Sequence, residues 1–374
     1  MSAARLVLTV DVEEWFHVCG HPAYDRPERW DAFPSRVVPS TERILSLLEE
    51  SSSRATFFVL GWVARRHPGL VRRIAGAGHE IGCHGDLHRR ATEQSVEEFR
   101  DDLRAARASL EDAAGAPVTA FRAPEWSFRT TACPHLGTLV EEGFRVDSSL
   151  LAVPPIGDIG NPLRPTMIPT PAGDLLEVPP LVGTFFGQPA MMGGGWTSRL
   201  SREARVSRAV EESLGRGESP VLYLHPWEVD EAHPPMELPP VARLVHFGGR
   251  SRVVPRLARL LPHHRSASPA EAFPASRRSR GAAAMSSAST CVAERTTIPS
   301  ASATRARRAS RPDPTATSTS QASARASIPA CANGSATTTF GLTESSCLSA
   351  RPVGSGGGGS LCCSPRPPPR PDTL

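Results

Sequence analysis

The chain contains no lysine, and all 42 of its lysine-or-arginine positions are arginine. This bias indicates a GC-rich coding sequence. No apolar run approaches the ~20 residues that a membrane-spanning helix needs. The first residues lead into an apolar strand without the hydrophobic stretch of a signal peptide. These absences predict a cytoplasmic protein without a membrane span.

Cysteine is scarce in the first 273 residues, where only Cys19, Cys83 and Cys133 occur. An odd number of cysteines argues against a disulfide scaffold and is typical of a reducing compartment. A glycine-rich phosphate loop is also missing after the first apolar segment, where acidic residues stand instead and would repel phosphate. Nothing in the sequence suggests a redox cofactor.

The composition changes near residue 273. Residues 1–273 carry the periodic apolar segments, whereas residues 274–374 are rich in Ser, Ala, Thr, Pro and Arg, which predicts a disordered tail. From Ala275 the tail has 12 arginines against 4 acids, a net charge of +8, while the whole chain is +4. Because most of these arginines are scattered, we expect no nucleic-acid partner. The sequence leaves open whether the tail functions or is an out-of-frame translation.

Strand-like and helix-like segments alternate through residues 1–273. Strands are predicted at 5–10, 55–60, 78–84, 117–121, 144–146, 175–178 and 220–224. Helices are predicted at 40–50, 61–76, 92–114, 134–142, 201–214 and 250–261, and a loop at 187–195. This alternation predicts an α/β fold, an irregular (β/α) barrel of about seven strands, with an open doubly wound sheet as the alternative.

Polar side chains follow several predicted strands at their C-terminal ends, where the active sites of barrels lie. These residues are Asp11, Glu13, Glu14, His84, His88, Arg122 and His225. Two histidines and a carboxylate form a common catalytic metal set, a second carboxylate can accept a proton from water, and a further histidine can protonate a leaving group. Taken singly, each residue is more often structural, but together they predict a hydrolase.

Four motifs in this order resemble the polysaccharide deacetylase family, also called the NodB homology or carbohydrate esterase 4 family. They are D-V-E-E-W-F-H-V at 11–18, H-x-x-x-H at 84–88, R-x-P-x-W at 122–126 and L-H-P at 224–226. The first motif resembles the branch found near exosortase and exopolysaccharide gene clusters. The resemblance covers about Leu6 to Phe273, and it implies a NodB-like catalytic domain in residues 1–273.

The resemblance also implies a role for each motif residue. Asp11 corresponds to the catalytic base, Arg122 orients that base, and His225 acts as the general acid. The implied ligands of a divalent metal, with zinc expected and cobalt as an alternative, are Glu13, His84 and His88. The residues assigned to the substrate are Trp126, Leu224 (beside the acetyl methyl), Glu14 and Trp227. Glu14 is also the alternative metal ligand, because this chain has Asp-Val-Glu-Glu where relatives have two adjacent aspartates.

The implied function is metal-dependent removal of N-acetyl groups from an amino-sugar polysaccharide or oligosaccharide, in exopolysaccharide biosynthesis. Two alternative functions stay open. One is an amidohydrolase that acts on a small cyclic amide or imide without metal. The other is a catalytically weak saccharide-binding protein. The sequence gives neither the saccharide nor the oligomeric state.

Overall fold

The computed structural model describes residues 4–264 and 266–273, so the predicted tail at 274–374 lies outside the described residues. The strands are β1 (Val7–Val12), β2 (Thr56–Val59), β3 (Glu80–Cys83), β4 (Ala120–Phe121), β5 (Val146–Asp147), β6 (Thr166–Thr170), β7 (Gly173–Glu177), β8 (Val182–Phe185), β9 (Gln188–Met191) and β10 (Val221–Leu224). The helices are α1 (Val37–Glu50), α2 (Gly61–Arg66), α3 (Pro68–Gly76), α4 (Val96–Ala114), α5 (His135–Glu141), α6 (Gly195–Leu200), α7 (Glu203–Gly215), α8 (Pro226–Val229), α9 (Pro240–Phe247), α10 (Val253–His263) and α11 (Pro269–Ala272).

One curled sheet of eight strands runs in the order β10-β1-β2-β3-β4-β5-β7-β6. The first seven strands pair in parallel, and β6 pairs antiparallel with β7. Strands β8 and β9 form a separate hairpin. Since no pairing joins β10 to β6 in the described part of the chain, the barrel is open. The predicted irregular α/β barrel of about seven strands is confirmed by the seven parallel strands.

Side chains alternate along β1 between the helix layer and the inside of the barrel. Leu8, Val10 and Val12 belong to the main hydrophobic core, which packs the sheet against the helices. Asp11 points to the other face, where it meets a side chain from the end of β4. Burial of the apolar side chains stabilises the fold, and the period of two then directs every second residue inward. This alternation positions the acidic residues of β1.

The helix predicted at 61–76 is two helices, α2 and α3. Proline at 68 disfavours helical geometry at the residue before it, and His67 has φ −128° and ψ 56°. None of the described helices combines the length and apolar character that crossing a membrane requires.

Two predicted helix starts are also corrected. Helix α4 begins at Val96 rather than after Thr92, because Ser95 and Glu98 form a reciprocal capping box. Helix α1 begins at Val37 rather than at Ser40, whose hydroxyl donates to the carbonyl of Arg36 at 2.7 Å from inside the helix.

The predicted loop at 187–195 contains strand β9. The hairpin turns at Phe186 and Gly187, which both have positive φ, and such two-residue turns match the twist of paired strands. Strand β6 was not predicted either, since Pro169 interrupts its apolar pattern. Proline is tolerated there because β6 is an edge strand.

Candidate active site

The C-terminal ends of four parallel strands bring the predicted site residues to one pocket. The residues that line it are Asp11, Glu13, His84, His88, Ala123, Glu125, Trp126, Ile156 and His225. Asp11 lies in β1 and Glu13 directly follows it, the histidine pair follows β3, and His225 follows β10. The structure therefore assembles all six residues predicted for catalysis and metal binding at one place, with Arg122 directly behind Asp11.

Glu13, His84 and His88 form a compact group of possible metal ligands. Their ligand atoms lie within 4.8 Å of one another, and all three residues are buried. Glu13 Oε2 is 2.5 Å from His88 Nε2 and 4.0 Å from His84 Nε2. No other described group donates a hydrogen bond to this buried oxygen. Two imidazoles and one carboxylate are a donor set that zinc and cobalt accept, so these residues fit the metal that the sequence predicts.

Neighbouring groups orient each of the three candidate ligands. His84 Nδ1 lies 2.8 Å from the carbonyl oxygen of Arg122, which leaves Nε2 facing Glu13. His88 Nδ1 lies 3.3 Å from the Cys19 sulfur. Trp227 Nε1 donates to Glu13 Oε1 at 3.1 Å, which leaves Oε2 for the metal. Such outer contacts fix the orientation of metal ligands.

Two of the three candidate ligands, Glu13 and His84, are in metal-binding forms, whereas burial of His88 is outweighed by the carboxylate of Glu13, which raises the pKa of that imidazole. Burial opposes ionisation of Glu13, but the imidazoles of His88, His225 and His84 outweigh it and lower the pKa of the carboxyl. Burial lowers the pKa of His84 to about 4, so this imidazole is neutral near pH 7. An ionised carboxylate and a neutral imidazole are the forms that coordinate a cation.

Arg122 holds Asp11 in place. Its Nη1 donates to Asp11 Oδ1 at 2.7 Å, and its Nε and Nη2 donate to the carbonyl and hydroxyl of Ser148. The guanidinium also lies over the ring of Trp126, 4.6 Å from its centroid. Because one oxygen of Asp11 is occupied by Arg122, Oδ2 is the oxygen that faces His225, at 3.9 Å from Nε2. Arg122 thus fixes the orientation of the Asp11 carboxyl, and the catalytic role of Asp11 stays a prediction.

His225 is held by two residues that sequence reasoning missed. Its Nδ1 lies 2.9 Å from Glu228 Oε1, and Glu228 in turn pairs with Arg199 at 2.8 Å. Burial opposes protonation of His225, but Glu228, Glu13 and Asp11 outweigh it and raise its pKa to about 9. The sequence spacing could have indicated Glu228, because it lies three residues after His225 at a helix start, and residues i and i+3 share a helix face.

The structure places Leu224 away from the predicted acetyl pocket. Leu224 packs in the main core with Leu8 and Val10, on the helix side of the sheet. Its neighbour Tyr223 points inward instead, since side chains alternate along a strand. The apolar side chains that line the pocket are Ala123, Trp126 and Ile156.

Glu14 also points away from the pocket. Its Oε2 accepts the backbone N–H of Arg36 at 2.9 Å, and its Oε1 accepts the hydroxyl of Ser35. Glu14 therefore stabilises the start of α1, whose first N–H groups have no partner within the helix. The structure favours Glu13 over Glu14 as the metal ligand.

Trp227 lies behind Glu13 rather than on the substrate side. Its ring stacks between the rings of His225 and His246, with centroids at 5.0 Å and 4.2 Å. Together with its hydrogen bond to Glu13, this position makes Trp227 a support for the site rather than a wall of the pocket.

Known proteins are similar to two parts of this chain. Residues 29–139 match the family model described as polysaccharide deacetylase, and residues 148–273 match a domain of unknown function, DUF3473. Among curated relatives, a peptidoglycan-N-acetylglucosamine deacetylase of Listeria monocytogenes is 32% identical over 108 residues, which is 29% of this chain and 23% of the relative. A chitooligosaccharide deacetylase of Rhizobium leguminosarum bv. trifolii is 48% identical over 48 residues, which is 13% of this chain and 22% of the relative.

A solved family 4 carbohydrate esterase from Streptomyces lividans, in complex with acetate, is also similar. It is 16% identical with a TM-score of 0.39, and the alignment covers 68% of this chain and 86% of that one. The chain thus spans less than a quarter of the length of either curated relative named above.

Proposed function

We propose that this chain is a metal-dependent hydrolase that removes N-acetyl groups from an amino-sugar polysaccharide. The proposal starts from its membership of the polysaccharide deacetylase family. One observation carries this proposal. The pocket combines a buried Glu-His-His group with a separate carboxylate, Asp11, and a histidine, His225, whose pKa the neighbouring acids raise against the effect of burial. These are the parts that hydrolysis of an amide requires.

Glu13, His84 and His88 are the residues that would hold the metal. A divalent ion bound there, with zinc expected, would polarise the acetamido carbonyl and lower the pKa of a water molecule. The other residues of the site transfer protons or hold the reacting groups in position.

Asp11 is the proposed general base. Arg122 fixes one of its oxygens, so Oδ2 is left to accept a proton from the attacking water. The water oxygen bonds to the acetyl carbon, and the carbon–nitrogen bond then breaks.

His225 is the proposed general acid. Its Nε2–H lies on the pocket side, 3.9 Å from both Asp11 and Glu13, while Glu228 holds Nδ1. Transfer of this proton to the departing nitrogen gives a free sugar amine, and the acyl part leaves as acetate.

We also propose a specific substrate class, a specific metal and a cellular location. The saccharide belongs to an exopolysaccharide under synthesis, which the first motif's resemblance supports. Zinc is the expected metal, with cobalt as a substitute. The cytoplasmic location stays a prediction, and fractionation of cells with detection of the chain would check it.

The experiment measures acetate released from N-acetylglucosamine oligomers by the full chain. The protein is assayed after chelation, and again with zinc or cobalt restored. The matched inactive variant is Asp11→Asn, which removes the base and leaves the Glu-His-His group intact. We expect activity to disappear with the chelator, return with metal and stay absent in Asp11→Asn.

Other outcomes would support the alternatives. Chelator-insensitive hydrolysis of a small cyclic amide would favour the metal-free amidohydrolase. Saccharide binding without acetate release, equal in the wild type and Asp11→Asn, would favour the binding protein.

A further inference from the structure

Glu125 is a third acid in the pocket that the proposed mechanism does not use. It lines the pocket together with Asp11 and Glu13, and its side chain is only 3% exposed. Its Oε2 accepts a hydrogen bond from Arg90 Nε. Its buried Oε1 has no hydrogen-bond partner among the residues that the structure describes. A buried acceptor left without a donor is unfavourable unless a ligand supplies one.

The backbone turns Glu125 toward the pocket. Glu125 and Trp126 have φ values of 52° and 54°, which is left-handed geometry that non-glycine residues seldom adopt. Both side chains line the pocket as a result. The short helical turn at 124–126 follows Arg122 closely. One segment therefore carries both Arg122, which holds Asp11, and Glu125, whose Oε1 is free.

The charge of each acid in the pocket already has a partner. Arg122 pairs with Asp11, the imidazoles of His84 and His88 face Glu13, and Arg90 pairs with Glu125. Glu125 is not part of the group whose ligand atoms lie within 4.8 Å of one another. Its free oxygen therefore needs a neutral donor rather than a second cation.

We infer that Glu125 is a specificity-determining residue, whose Oε1 accepts a hydrogen bond from a hydroxyl of the sugar ring that carries the acetamido group. The inference rests on the proposed function and deepens it. A polyhydroxylated ring offers such hydroxyl donors beside the acetamido group, whereas a simple acetyl ester offers no donor. Glu125 thus selects a saccharide over other acetylated molecules.

The test compares Glu125→Gln with Glu93→Gln. Glu93 accepts from Arg90 Nη1 at 2.8 Å but is half exposed and does not line the pocket, so it is the matched control for weakening the Arg90 network. In Glu125→Gln the amide oxygen faces Arg90 and the NH₂ group replaces Oε1, which puts a donor where an acceptor was. Each variant is assayed on N-acetylglucosamine oligomers and on 4-nitrophenyl acetate, which has no hydroxyl.

We expect kcat/KM of Glu125→Gln to fall about tenfold more on the oligomer than on the ester, mainly through KM. Calorimetric binding of the oligomer weakens by a similar factor, and zinc affinity and Tm stay within error. Glu93→Gln keeps wild-type values on both substrates.

Three results would overturn the inference. Equal losses on oligomer and ester would mean that Glu125 only maintains the catalytic centre. A loss of zinc affinity would make it a metal ligand. Unchanged oligomer kinetics and binding would remove its role, with the proposed function intact. If the wild type neither binds nor hydrolyses the oligomer, the proposed function fails, and this inference fails with it.

Discussion

Glu228 holds His225 from behind the pocket. Its Oε1 lies 2.9 Å from His225 Nδ1 and 2.8 Å from Arg199 Nη1, and the side chains of Glu228 and Arg199 are 2% and 4% exposed. Because Nδ1 faces Glu228, Nε2 is the nitrogen that faces Asp11 and Glu13 in the pocket. Arg199 compensates the buried charge of Glu228, so the three side chains form one network.

The first prediction concerns this network. Glu228→Gln should lower kcat for N-acetyl saccharides by about 10- to 100-fold, because His225 loses both its orientation and the charge that favours its protonated form. The loss should be much smaller on 4-nitrophenyl acetate, whose leaving group needs no proton. The measurement is kcat on both substrates.

Glu231→Gln is the control for that comparison, since Glu231 follows three residues later but is 83% exposed. Equal losses of Glu228→Gln on the amide and the ester would contradict a role in proton donation and leave Glu228 a purely structural residue.

The second prediction separates two adjacent glutamates. Glu13→Gln should weaken zinc binding by about 100-fold or more, because it removes a ligand charge from the Glu-His-His group. Glu14→Gln should keep wild-type zinc affinity but lower the free energy of unfolding by about 1 kcal/mol, since Glu14 caps α1. Equilibrium dialysis of the metal and denaturant unfolding check the two parts. Weaker zinc binding in Glu14→Gln would reverse the ligand assignment.

The sequence was sufficient to predict the parallel strands and the polar residues at their C-terminal ends. Strand β1 is apolar and β-branched, and acids placed directly after a buried strand are costly to desolvate unless they are paired or bind a cation. The sequence left Glu14 open as an alternative to Glu13, because both residues follow the strand. The contacts of Glu14 with Ser35 and Arg36, which precede α1, could not be predicted from it. Arg199, which pairs with Glu228, could not be predicted either, since it is distant in sequence.

The third prediction concerns Asp147 and Glu177, two fully buried carboxyls on neighbouring strands β5 and β7. Burial raises the pKa of Asp147 to about 6 and, together with the charge of Asp147, raises the pKa of Glu177 well above its ordinary value. Asp147 Oδ2 and Glu177 Oε2 have no hydrogen-bond partner in the described residues. This arrangement is the one expected for two acids that share a proton.

Below about pH 3 the pair is protonated in the folded and unfolded chain alike. As the pH rises toward 6 and beyond, the unfolded chain releases these protons while the folded chain retains them, so the pair's contribution to stability is lost. Glu177→Gln removes one acid and offers an N–H to Asp147. We expect the free energy of unfolding of this variant to exceed that of the wild type. The difference should grow from pH 4 to pH 7 and reach on the order of 2 kcal/mol at pH 7.

Denaturant unfolding at several pH values measures this difference. Asp174→Asn is the control, because Asp174 lies on the same strand but is exposed. A difference between Glu177→Gln and the wild type that does not change with pH would show that the pair does not hold a proton.

The last prediction tests which side chain borders the acyl group. Leu224 packs among helix-facing core residues, so Leu224→Ala should leave a cavity and lower the free energy of unfolding by about 2–5 kcal/mol. It should not change the ratio of rates on N-acetyl and N-propionyl glucosamine oligomers. Ile156 lines the pocket, and Ile156→Ala should raise the relative rate on the propionyl substrate by about tenfold, since it makes room for one methylene. A changed acyl ratio in Leu224→Ala, with none in Ile156→Ala, would restore the role that the sequence motif implied for Leu224.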